Sequence, residues 1–367
     1  MKICHVTSAH NSTDVRIFEK ECTSLAKKAE YDVFLVAPGE SYEKNNVKII
    51  GIGDIPSSRV KRMFKFSRKA YEAATLIDAD VYHFHDPELL QFAIKLKKKG
   101  KRVIYDSHED TVEDIMRKDY IPSILRGIIA KYFEKFLNSA VAKIDCVITV
   151  TPRIVDKYKI VNNNVFLITN YPIINLQRNM KKHLKKDKTK LIFAGGVSHQ
   201  WSHEYILDAI QDLDDVEYLF FGPGEKNYIE YLRKKSGWKN AKYGGKVSFD
   251  VVNEELWRAD IGMALCQYVL DKDRMGTLGN TKLFEIMLHG IPVITTDYLL
   301  WREIVEGKNC GICVNPSDVE QIRDAILEIR NNPDEARVMG ENGQKAVLEE
   351  YNWESQEKIL YNVYENL

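Results

Sequence analysis

Residues 178–196 read RNMKKHLKKDKTKLIFAGG, and the change of character inside that stretch decides the fold. Residues 178–190 hold seven Lys or Arg and almost nothing to bury, as a solvated linker or domain edge does. KLIFAGG then opens a strand-like run that ends on two glycines. Before the basic stretch, the β-branched runs ICHVT, DVFLVA, VKIIGI, DVYHFH, RVIYD, DCVITV and VFLIT alternate with helix-period segments such as 16–28 and 88–98. After it the alternation restarts with KLIFAGG, VEYLFFGPG, AKYGGKV, ADIGMAL, IPVITT and GICVN. Such alternation builds parallel sheets with crossover helices. Two tandem halves predict an α/β fold of two Rossmann-like, doubly wound parallel-sheet domains with a cleft between them. The expected boundaries are 1–172 and 173–350, with a last helix in 351–367 packing back on the first domain.

A chain of 367 residues exceeds what one core usually serves, in agreement with two domains. Fifty-three basic residues balance fifty-three acidic ones, so no global field points to nucleic acid. The N-terminal MKICHVTSAH lacks the apolar region and cleavage site of a signal peptide. No apolar run approaches the ~20 residues that span a bilayer. Six scattered cysteines in apolar surroundings suit reduced thiols, and a cytoplasmic location is expected.

In open α/β sheets the loops after the strands hold the ligands. After the first strand, TSAHNSTDVR (7–16) has no glycine and therefore no dinucleotide fingerprint, which argues against an NAD enzyme. It offers His10, Asn11, Asp14 and Arg16 for sugar hydroxyls, or else Asp14 simply caps the next helix. Two further strands end on His85 with Asp86 and on His108 with Glu109. Capping before Pro87 would account for Asp86 alone.

In the second half, Gly195 with Gly196, and Gly222 with Gly224, follow apolar strands, where backbone N–H groups can meet phosphate oxygens. The strongest local signal is GNTKLFEIMLHGIPVITTD (279–297). Asn280 and Thr281 begin a helix whose positive end suits an anion, Lys282 adds charge, and Glu285 one turn on can accept both hydroxyls of a ribose.

The runs DVYHFHDPELL and YDSHED, then FAGG, FFGPGE, GGKVSFDVVNEELWRADIGMAL, KLFEIMLHGIPVITTD and NCGICVNPSDVEQIRDAI resemble the family-4 glycosyltransferases of the GT-B fold along nearly the whole chain. The resemblance implies a retaining enzyme that needs no metal and no cofactor, with a UDP-type or GDP-type nucleotide sugar as co-substrate. The donor would meet mainly the second domain through Gly195, Gly196, Gly222, Val247, Arg274, Asn280, Thr281, Lys282 and Glu285. His10, Asp14, Arg16, His85, Asp86 and Glu109 would face the acceptor. His108 matches the family's active-site histidine, and Glu285 the second acid of its Glu-x7-Glu motif. The first acid falls on Thr277, and VSHQWSHE (197–204) lacks the Arg and Lys that neutralise the leaving diphosphate, with Lys282 and Arg274 as nearest substitutes.

Three motifs mimic other chemistry. CGIC (310–313) has redox or zinc half-site spacing but no second ligand pair, and the Asp-x-Asp tripeptides at 78–80 and 271–273 resemble a metal motif without following a strand. RVKRMFKFSRKAY (59–71) differs, with six basic residues among Met63, Phe64 and Phe66 and no acid. It reads as a basic amphipathic helix that meets an anionic membrane surface, or as a solvated helix face. The expected reaction is sugar transfer to a saccharide or lipid-linked acceptor in cell-surface polysaccharide or glycolipid assembly. A sugar-nucleotide epimerase of the same shape and an inactive subunit that activates a partner are the rivals.

Overall fold

The computed structural model describes residues 1–108, 110–117, 121–174, 188–268 and 273–367, and of Arg59, Asp114 and Arg117 the backbone alone. The chain forms two compact units, one of Met1–Asn170 with Trp353–Leu367, the other of Tyr171–Asn352.

In the first unit, β1 (Lys2–Val6), β2 (Asp32–Ala37), β3 (Tyr42–Lys44), β4 (Val47–Gly51), β5 (Val81–Phe84), β6 (Arg102–Ser107), β7 (Cys146–Thr149) and β8 (Val165–Leu167) form a sheet ordered β3-β4-β2-β1-β5-β6-β7-β8. Pairings are parallel except β3 with β4. That hairpin was not expected from the sequence: Tyr42, Glu43 and Lys44 are all exposed, so no apolar alternation marks the strand. Asn45 and Asn46, both at positive φ, make its two-residue turn. The direction of winding reverses between β1 and β5, which puts the loops after those strands at the switch point.

Strand side chains alternate between faces, and the faces of this sheet have different chemistry. Cys4, Val6, Tyr82, Phe84 and Tyr105 join one apolar core, while Ile3, Val81 and Ile104 join another on the opposite face. The same alternation puts His5, His83, His85 and Asp106 on the second face, as a buried polar seam. Val15–Cys22 contributes Arg16 and Glu21 to it. This helix is π-wound, and the wider turn brings residues five apart close to one face. Helix Trp353–Glu365 completes the unit: Trp353 Nε1 donates to Ser24 Oγ at 2.9 Å, Tyr361 OH donates to the Ser24 carbonyl at 2.8 Å, and Tyr364 is buried against the seam.

In the second unit, β9 (Thr189–Ala194), β10 (Val216–Phe221), β11 (Ala241–Gly245), β12 (Ile261–Ala264), β13 (Val293–Thr296) and β14 (Gly311–Val314) form a wholly parallel sheet ordered β11-β10-β9-β12-β13-β14. Its winding reverses between β9 and β12. Of the basic stretch, 178–187 lie outside the described residues, and Thr189 and Lys190 belong to β9 rather than to a linker.

Candidate functional site

Each unit carries candidate residues at the carboxyl ends of its strands. In the first, His108 follows β6, and its Nδ1 lies 2.8 Å from Asp106 Oδ2. A carboxylate on one ring nitrogen holds the proton there and leaves Nε2 for a ligand. Asp106 is in turn held by Arg16, which donates from Nε to Oδ2 and from Nη2 to Oδ1, both at 2.8 Å. Burial alone would raise the Asp106 carboxyl, but Arg16 and His108 hold it well below the usual carboxylate range. His10 stands edge-on to His108, with centroids 5.3 Å apart, and its ring nitrogens lie 3.5 Å from Asp14 Oδ2 and from Asp86 Oδ1.

Several expected acceptor-side residues serve other purposes here. Arg16 is buried and donates to Asp106 and to the Ile168 carbonyl, so its guanidinium does not face solvent. His85 is buried between His83 and His108, at centroid separations of 4.6 and 5.5 Å, and burial lowers its pKa to about 4. Asp86 makes no side-chain cap for the helix that begins at Pro87; it accepts from Thr7 Oγ1 at 3.0 Å and Ser8 N at 2.5 Å, fixing the loop after β1. Asp14 caps Val15–Cys22 by accepting from Arg16 N and Ile17 N. Glu109 lies outside the described residues.

In the second unit, Gly195, Gly222 and Lys282 come together. Gly195 has φ +156, and a Cβ there would stand 2.0 Å from Lys282 Cε. Gly222 has φ +133, and a Cβ there would stand 1.8 Å from the Gly195 carbonyl oxygen. Only glycine therefore fits either position. Lys282 Nζ lies 4.0 Å from the Trp201 ring centroid, and burial lowers its pKa. The lysine belongs to helix Thr281–Leu288, whose Asn280 cap accepts from Lys282 N at 3.2 Å. Asn280 Nδ2 is buried with no hydrogen-bond partner. Glu285 is half-buried one turn along, and Gly196 is exposed with open space beside it.

Val247 packs against the core, and Arg274 is anchored elsewhere. Its guanidinium lies 4.3 Å from the Tyr268 ring centroid and 3.8 Å from Asp297 Oδ2, and no described contact joins it to Lys282. Thr277 is exposed and accepts from Gly279 N at 3.0 Å. Asp106, Glu21 and Trp201 were not singled out from the sequence. Asp106 could have been, because it stands two residues before His108 and so shares its strand face.

Residues 20–170 match the Glycosyltransferase Family 4 description and residues 176–346 match Glycosyl transferases group 1. The chain is a glycosyltransferase. An uncharacterized glycosyltransferase of Methanocaldococcus jannaschii is 25% identical over 94% of this chain and 92% of its own. Among solved structures, sucrose-phosphate synthase from Thermosynechococcus elongatus has a TM-score of 0.77 at 16% identity, covering 100% of this chain and 98% of that one. HepE of Anabaena, in complex with UDP and glucose, has a TM-score of 0.74 at 12% identity and covers 100% of both chains. These likenesses show that the glycosyltransferase has the GT-B fold.

Proposed function

We propose that this glycosyltransferase moves a sugar from a UDP-type or GDP-type nucleotide sugar to a saccharide or lipid-linked saccharide on the cytoplasmic side of the membrane. The anomeric configuration is retained, and the product enters a cell-surface polysaccharide or glycolipid. The carrying observation is the packing of Gly195, Gly222 and Lys282 at the start of helix Thr281–Leu288. A diphosphate there meets the positive helix end and an ammonium already stripped of part of its hydration. Glu285 accepts the ribose hydroxyls, and His108 faces the transferred sugar. The departing phosphate takes the acceptor proton, so the reaction requires positioning and charge stabilisation without metal or cofactor. The UDP and glucose bound by the Anabaena protein agree with this donor class.

Purified protein with a panel of nucleotide sugars tests the reading. Nucleotide release that requires an acceptor, with the donor's configuration kept in the product, is expected. An interconverted donor would mean an epimerase. Neither outcome would mean a binding subunit, a reading that Thr277 favours because it stands where the family carries an acid. In the same assay Glu285→Ala is expected to weaken nucleotide binding about 10–100-fold, the equivalent of charge-assisted bonds worth about 1.5–3 kcal/mol. Unchanged affinity would remove Glu285 from the donor site.

The membrane is the proposed meeting place with a lipid-linked acceptor. Among the described residues no helix is long and apolar enough to cross a bilayer. Residues 59–77 are helical and expose Val60 and Phe64, each 66%, beside Lys61 and Lys65. Helix Ser123–Val141 exposes Ile124, Ile128 and Tyr132 at four-residue steps. Such faces suit an anionic surface, where each basic residue contributes about 1 kcal/mol. Arg62 is turned to Glu88 at 3.5 Å, so the test uses Arg59, Lys61 and Lys65. Changing these three to Gln is expected to weaken sedimentation with phosphatidylserine vesicles about fivefold per charge, and added salt should do the same to the wild type. Equal sedimentation of both proteins would end the membrane proposal.

A further inference from the structure

We infer that His5, Glu21, His83 and His85 form a zinc site inside the first unit, with His5 Nδ1, His83 Nε2, His85 Nε2 and Glu21 Oε2 as its four ligand atoms. His5 and His83 are register partners on β1 and β5, His85 lies two residues on, and Glu21 descends from helix Val15–Cys22. All four side chains are buried, and their ligand atoms lie within 4.8 Å of one another. Glu21 Oε2 stands 3.8, 4.0 and 3.9 Å from the nitrogens of His5, His83 and His85. A tetrahedral ion with bonds of about 2.1 Å wants its ligands about 3.4 Å apart, so the three carboxylate–imidazole separations must close by about half an ångström. A water at about 2.8 Å from every ligand would need separations of about 4.6 Å, an expansion of the carboxylate–imidazole distances.

The hydrogen bonding points the same way. Both oxygens of Glu21 and His83 Nε2 are buried with no hydrogen-bond partner. Glu21 Oε1 has Arg16 Nε at 3.2 Å without hydrogen-bond geometry, and Oε2 faces the three imidazoles. An ionised carboxylate here is therefore unsatisfied by the protein alone, and only a protonated one has a partner, the Asp106 carboxylate. The far nitrogens of His5 and His83 have an orienting hydroxyl, and that of His85, which makes no hydrogen bond, faces a carboxylate. Tyr364 OH lies 2.8 Å from His83 Nδ1 and 3.2 Å from His5 Nε2, and Asp106 Oδ2 lies 3.4 Å from His85 Nδ1. Metal-bound histidines are oriented in this way, by a carboxylate or other polar group on the second nitrogen. N–H groups pointing outward toward Tyr364 and Asp106 leave three lone pairs pointing inward. His5 Nδ1 and His85 Nε2 stand 2.9 Å apart, a hydrogen bond when one of them carries the proton and a pair of lone pairs open to a cation when Tyr364 and Asp106 hold the protons. Three nitrogens and one carboxylate oxygen suit zinc better than magnesium or calcium, which prefer oxygen. The ion is structural, tying β1, β5 and the overlying helix together beneath Asp106.

The test uses full-length protein without a polyhistidine tag, expressed with added Zn²⁺, dialysed against EDTA and analysed by elemental mass spectrometry. About one zinc per chain is expected in the wild type and less than about a fifth of that in Glu21→Gln and His83→Gln. His10→Ala, which alters the neighbouring half-buried histidine, should keep its zinc; loss there would place the ion at the His10–His108 pair and overturn the assignment. Because these variants could misfold, the wild type is also unfolded with EDTA and refolded with Co²⁺. The intense visible absorption of a four-coordinate cobalt site is expected. Wild-type protein that holds no zinc as purified and shows no such absorption on refolding would overturn the site.

Discussion

The His108→Ala variant is expected to lose about two to three orders of magnitude in kcat, within the range that a positioned imidazole contributes, while its nucleotide Kd stays within about twofold. The expectation rests on the proposed division of labour. The donor's phosphates and ribose are assigned to the second unit, whereas His108 belongs to the first. Asp106 fixes one ring nitrogen at 2.8 Å, and the other, Nε2, is buried without a hydrogen-bond partner. An interaction made only as charge develops on the transferred sugar lowers kcat without changing ground-state affinity. If the imidazole only packed, the variant would melt lower and turn over normally once the folded fraction is corrected for. Melting temperature, nucleotide Kd and kcat from one preparation separate the two, and a destabilised but catalytically normal variant would end the case for His108.

Arg16→Leu is expected to destabilise the first unit by about 3–5 kcal/mol, because it leaves the Asp106 carboxylate buried without its bidentate partner. For a unit of this size that corresponds to a fall of roughly 10 °C in melting temperature. Arg16→Lys should recover only part of the loss. A lysine keeps the charge but cannot reach both carboxylate oxygens and the Ile168 carbonyl together, as Nε, Nη2 and Nη1 do here. Circular-dichroism melts of the three proteins check this, and a shift below about 2 °C for Arg16→Leu would show that Asp106 is compensated by other groups.

The strands and the parallel topology were legible because each inner strand is an apolar run bounded by turn residues, and such runs report burial on both faces. The β3 strand was not, since pairing by backbone alone leaves no mark on side-chain pattern. At the candidate site the sequence showed the glycines, the capped helix and the histidines, which are local signals. It did not show that Arg16 and His85 point inward. Polar residues read as exposed unless their partners are known, and Asp106 lies 90 residues from Arg16. Lys282 against Gly195 and Trp201 was hidden for the same reason. The pairing depends on two loops and a helix start that meet only after the sheet forms.

Helix Trp353–Glu365 belongs to the first unit, yet the ribosome makes it after all of 171–352. The first unit therefore cannot finish folding as it emerges. Through synthesis of the entire second unit, Ser24, Thr169 and the two histidines that await Tyr364 OH remain uncovered. During that interval the nascent sheet presents an unfinished polar and apolar face to chaperones, proteases and neighbouring chains. The order of manufacture thus makes the second unit, which can close from contiguous sequence, the earlier of the two to mature.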